Sequence, residues 1–137
     1  MRYLCMLVML PLGVLWAADE TPVIVNPAEA KWSHDPGDPP GSEGVMLRQD
    51  SQTKGLELFV RFPAGHVIAP HWHDVNERIV VIEGRLGLKE GAETRYIDAG
   101  GYAFLPAKQV QRLSCVSQSR CALYINWDGP PTSHKAE

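Results

Sequence analysis

Along most of the chain, hydrophobic and polar positions alternate instead of recurring every three or four residues. In 56–62, Leu56, Leu58, Val60 and Phe62 fall on one side and Glu57, Phe59 and Arg61 on the other, which is the two-residue period of a strand with one face buried. Further strand-like runs, not all of them alternating, occupy 78–83, 85–88, 95–98, 102–105, 109–114 and 122–127, separated by Pro63 to Gly65, Glu90 and Gly91, and Gly100 and Gly101. Residues 22–32 hold one further short strand or two. No stretch carries a helical period, so helix is expected in under about a tenth of the residues after position 18. Short strands broken by Gly and Pro predict an all-β sandwich or barrel. The run DPGDPPGSEG at 35–44 is too rich in Pro and Gly for a strand; it reads either as an ordered loop near the barrel mouth or as a surface linker. The tail 129–137 is expected to fray, with His134 solvated.

One segment of this pattern carries chemistry. Residues 65–84 read GHVIAPHWHDVNERIVVIEG. On an extended strand His71 and His73 share a face and Trp72 points the other way. After a polar break at Asp74 and Asn76, Glu77 stands at the mouth of the next strand, where a chain reversal brings its carboxylate beside the two imidazoles. Two histidines and a carboxylate with open positions make the facial arrangement used for non-haem iron and related divalent metals. Taken alone, a His-x-His pair is more often surface chemistry than a ligand pair. Strict alternation turns His66 away from His71. Tyr102, Tyr124 and Arg61 are further polar candidates for a cavity lining, and His34, beside Trp32, for its mouth; each of these reads more readily as structural or exposed than as catalytic.

The full spacing is Gly65, five residues, His71, one residue, His73, three residues, Glu77, six residues, Gly84. It resembles the first motif of the cupin superfamily at every specified position. The phrases KWSHDPGDPPGSEGVMLRQD, RFPAGHVIAPHWHDVNERIVVIEG and GGYAFLPA are similar to exported single-domain bacterial cupins related to the cupin domain of the anti-sigma factor ChrR. The resemblance implies a single double-stranded β-helix (jelly-roll, RmlC-like) barrel, with the motif side chains facing its interior. A second motif is expected at 100–111, where the sequence is GGYAFLPAKQVQ. Gly100 and Pro106 stand in their places, but Lys108 replaces the second glycine and Gln111 the histidine. Gln111 is then a fourth ligand, a hydrogen-bond partner of a bound water, or the relic of a lost site, in that order of preference. Lys108 lacks glycine's freedom at positive φ, so the turn after Pro106 is expected to be reshaped, bringing a cation toward the mouth.

Composition adds compartment and size. A chain of 137 residues, 45% hydrophobic and 21% charged, is an ordinary globular protein with room for one core. A formal charge of −3 lacks the basic footprint of a nucleic-acid binder. Arg2, the apolar stretch 4–15 and the small residues Ala17 and Ala18 before Asp19 and Glu20 read as a secretory signal, residues 1–18, cleaved after Ala17 or Ala18. The apolar run falls short of the ~20 residues that span a bilayer and contains Pro11 and Gly13. The mature chain, 19–137, is thus expected to be a single cupin domain, exported to the periplasm or beyond, with no membrane span. It keeps two of the three cysteines, Cys115 and Cys121. Their polar five-residue connection suits a hairpin between 109–114 and 122–127, with either a disulfide across its neck or two buried thiols; export favours the disulfide.

Two functions of different classes remain open. In the first, a divalent ion (Fe, Mn, Ni or Zn) held by His71, His73 and Glu77, with Gln111 nearby, serves an enzyme of dioxygenase, isomerase or lyase type acting on a small oxygen-bearing molecule. In the second, the site binds or senses a metal or small ligand without turnover. The apolar residues on both faces of 78–83 permit a homodimer.

Overall fold

The computed structural model describes residues 21–36, 38 and 40–136. The proposed signal segment 1–18 lies outside the described residues. Ten strands follow one another: β1 (Glu43–Gln49), β2 (Leu56–Phe62), β3 (Val67–His73), β4 (Glu77–Glu83), β5 (Arg85–Glu90), β6 (Glu93–Asp98), β7 (Tyr102–Leu105), β8 (Gln111–Cys115), β9 (Cys121–Trp127) and β10 (Ser133–Lys135). They form two antiparallel five-stranded sheets, ordered β1-β2-β9-β4-β7 and β10-β3-β8-β5-β6. No helix occurs among the described residues. The fold is the all-β double-stranded sandwich expected from the alternation.

The core lies between the sheets. Phe62 on β2, Ile79 and Val81 on β4, Leu123 and Ile125 on β9 meet Leu86 and Leu88 on β5 and Leu113 on β8, all buried. Their alternate neighbours face out: Arg61 lies over the Trp32 ring and pairs with Glu43, Tyr124 donates to Glu57, and Tyr102 is exposed. Arg61, Tyr102 and Tyr124 therefore lie outside the barrel, since each alternates with an inward core residue.

Three local expectations change. Residues 22–32 form no strand; the segment is largely exposed, and its first ladder contact is the single bridge Ser33 to Gly44. Strand β1 begins at Glu43, inside the Pro- and Gly-rich run, because pairing with β2 supplies the order that local propensity lacks. The loop before it packs beside Pro63 and His66, where a Cβ on Gly41 would stand 3.7 Å from Pro63. His34 is tied to the Ser42 carbonyl at 2.8 Å in the same loop. His66 directly precedes β3, five residues and roughly 16 Å from His71, so Gly41 and His34 lie at the end of β3 opposite the histidine pair.

β8 and β9 do not form a hairpin. β8 pairs with β3 and β5 in one sheet, and β9 with β2 and β4 in the other. Residues between them cross from sheet to sheet, and the Cys115–Cys121 disulfide spans that crossing. Gly84 has φ +81°, and a Cβ there would meet the Arg120 carbonyl at 2.7 Å and Cys121 Sγ at 2.9 Å. The last glycine of the motif is required both by its conformation and by the close approach of this crossing.

Candidate metal centre

β3 carries the histidines and does not run evenly. Ile68 pairs with Leu113 and His71 with Gln111, three steps on β3 against two on β8, which defines a bulge at Ala69 and Pro70. Proline, having no N–H to offer the ladder, is suited to such a place. The bulge reverses parity. Ile68 packs on the core, yet His71 also turns inward. His66, of Ile68's parity, therefore does not face away: its ring lies 5.4 Å from that of core residue Phe62, with Nε2 buried and unpartnered.

His73 ends β3, and 74–76 carry the chain across to the other sheet, where Glu77 opens β4. The crossing is braced by Asn76, whose amide donates to Asp128 (2.8 Å) and whose carbonyl oxygen accepts from the Ala107 N–H (3.0 Å). The Lys108 N–H donates to the His73 carbonyl at 2.7 Å. Lys108 has φ +66°. The turn thus keeps a glycine-like conformation and is not reshaped; a lysine bears the left-handed strain, about 1–2 kcal/mol, because that backbone is needed to hold His73.

His71, His73, Glu77 and Gln111 are brought together from three strands of both sheets. Glu77 and Gln111 are each 2% exposed, His73 7%, and His71 is half-buried on the open side. The imidazole centroids are 5.1 Å apart. His73 Nε2 lies 3.8 Å from Glu77 Oε2. The Gln111 amide nitrogen donates to that same oxygen and lies 3.5 Å from His71 Nε2. Trp127 packs against the His73 ring at 5.5 Å.

Each imidazole is anchored through its other nitrogen. His71 Nδ1 lies 2.8 Å from the Ala69 carbonyl, and His73 Nδ1 lies 3.1 Å from the Thr132 carbonyl. A carbonyl can only accept, so each Nδ1 carries the hydrogen and each Nε2 lone pair points inward, as in metal-binding histidines. Burial pushes the Glu77 carboxyl up to about 7, against the pull of the Gln111 hydrogen bond. Burial lowers His73 below its ordinary value, against the Thr132 bond.

Two imidazoles, a carboxylate and an amide oxygen are a donor set that fits a borderline divalent cation. Gln111 Oε1 is buried with no hydrogen-bond partner; half a turn of the amide would put this neutral oxygen donor where Nε2 stands. In the present arrangement the amide nitrogen occupies the space between His71 and Glu77. Among the described residues no three His, Cys, Asp or Glu side chains close into a metal-enclosing group.

Residues missed by sequence reasoning come from the C-terminus. β10 pairs with β3, opposing Ser133 to His73, His134 to Trp72 and Lys135 to His71. The tail is therefore a strand, and His134 stacks on Trp72 at 3.9 Å and 14°. The Thr132 carbonyl had no signature to find, since any residue supplies one and 59 positions separate it from His73.

Two facing antiparallel sheets with these side chains converging between them define a cupin barrel. Residues 20–128 match the ChrR cupin-like domain, and the chain belongs to that family. No curated protein matches. Solved structures share the fold at low identity. The polyketide cyclase RemF from Streptomyces resistomycificus is 18% identical, with TM-score 0.70 over 85% of this chain and 87% of its own. An RmlC-like cupin from Shewanella frigidimarina is 15% identical, with TM-score 0.65 over 80% and 93%. An oxalate oxidase bound to the substrate analogue glycolate is 18% identical, with TM-score 0.60 over 74% and 58%.

Proposed function

We propose that this protein is an exported cupin that holds a divalent metal on His71, His73 and Glu77, with Gln111 Oε1 as fourth donor, and acts on a small oxygen-bearing molecule. One observation carries the reading: two inward Nε2 lone pairs, a buried carboxylate and an orphaned amide oxygen meet at one place, with both Nδ1 atoms anchored on the backbone. When bound, such an ion supplies a Lewis acid for the substrate's oxygen and, if redox-active, a place for dioxygen. Burial favours the protonated Glu77 carboxyl, so its carboxylate would be offered to a cation with release of that proton. Trp127 and the buried inner faces of the sheets exclude water from one side, and the more exposed His71 marks the approach for substrate. Enzymes among the fold's neighbours, a polyketide cyclase and an oxalate oxidase, support a catalytic role.

We place the mature protein outside the cytoplasm, consistent with the apolar N-terminal segment and with a disulfide. We also propose self-association through the outer face of β4 and β7, where Ile82, Tyr102 and Phe104 are exposed; light scattering showing only monomer would remove it. The activity is tested by elemental analysis of purified mature protein together with dioxygen-consumption assays on small aromatic and hydroxy-acid compounds. Bound metal with turnover establishes the enzyme. Bound metal without conversion of any compound identifies a binding or sensing cupin. No metal under any loading condition ends the reading.

A further inference from the structure

We propose that the C-terminal strand β10 positions His73 for the site, acting through the Thr132 carbonyl and held in place by a clasp of Asp74, His134 and Trp72. The inference rests on the metal reading for its purpose, but its geometry stands apart from it. β10 is three residues long and lies at the edge of its sheet, so its ladder alone is a weak hold and would be among the first elements to open. Four contacts reinforce it. The Thr132 hydroxyl and the His134 Nε2–H both donate to Asp74 Oδ2, each at 2.7 Å. The His134 ring covers Trp72, and the Ala136 N–H reaches the Pro70 carbonyl at 3.0 Å, at the bulge. Residues on either side of Ser133 are thus tied to Asp74, the residue directly after His73.

The consequence falls on one hydrogen. With Thr132 held, its carbonyl takes the His73 Nδ1–H at 3.1 Å and leaves Nε2 as a lone pair facing Glu77. With the clasp broken, the carbonyl departs, water can serve either nitrogen, and the ring becomes free to carry its hydrogen on Nε2, the form that has no lone pair to offer the site. Thr132 and His134 are positioning residues in this account, because neither reaches the site itself.

Nitrogen-15 NMR of the metal-free protein, at a pH where the His73 ring is neutral, reads the tautomer directly. The parent protein is expected to show the Nδ1–H form alone. Asp74→Ala and His134→Ala are expected to show a mixture with Nε2–H, and His134→Phe, which keeps the stack but loses the Asp74 bond, a smaller admixture. Zn2+ affinity should fall about ten- to a hundredfold in the two alanine variants. A strand with a merely structural role would leave His73 in the Nδ1–H form in both alanine variants, and that result overturns the proposal. Failure of the parent protein to bind Zn2+ would count against the proposed function, while the metal-free tautomer measurement would still decide the role of β10.

Discussion

Glu77 owes its raised pKa, about 7 against an ordinary 4.5, to burial between the sheets. The folded protein therefore holds a proton on Glu77 between about pH 4.5 and 7 that the unfolded chain has released. Metal-free stability should fall as pH rises through that window, by at most about 3 kcal/mol from this group. His73, lowered by burial, acts in the opposite sense as pH falls past its ordinary 6.5, so the clean measurement is a difference. Denaturant titrations of the parent and Glu77→Gln proteins should diverge in favour of the variant as pH rises; parallel curves would show that Glu77 is not held protonated. Gln111 is tested by metal occupancy under limiting metal. His71→Ala and His73→Ala should abolish tight binding, Gln111→Ala should weaken it less, and Gln111→His should strengthen it and shift preference toward nickel, copper or zinc. Equal occupancy in the parent, Gln111→Ala and Gln111→His proteins would place Gln111 outside the coordination sphere.

At the level of elements, the site depends on where strands depart from regularity. The bulge at Ala69 and Pro70 lets Ile68 serve the core and His71 serve the site, although an even strand would oppose them. Pro70 was the visible sign of that bulge, but no sequence period shows the missing step on β8. The Cys115–Cys121 crossing shows the same limit: the pairing was readable from spacing and from the expected export, while a hairpin and a sheet-to-sheet crossing have the same local sequence. The closed loop is short, so the bond should stabilise the fold by about 2 kcal/mol through the unfolded chain. Thiol labelling of the denatured, unreduced mature protein should find no free thiol. The paired change Cys115→Ser with Cys121→Ser should lower denaturant stability by about that amount or somewhat more, because both positions are fully buried. Two reactive thiols in the exported protein would refute the bond.

For the whole molecule, the expectation that export removes residues 1–18 is checked by intact mass: the exported form should begin at Ala18 or Asp19, and retained Met1 would refute it. What the sequence by itself determined was the all-β class, most strand positions, the cupin resemblance and the candidate set His71, His73, Glu77 and Gln111 that the fold brings together. These are legible because alternation and motif spacing are local properties, repeated over a few residues. Only the tertiary structure decided how the four side chains share hydrogens, that Lys108 keeps the left-handed turn, that His66 faces the core, and that the tail is a strand whose Thr132 carbonyl holds His73. Each of these rests on a partner far away in the chain, often a backbone atom that every residue possesses. Long-range pairing of that kind writes no pattern into local sequence, because its energy exists only once both sheets have closed around the core.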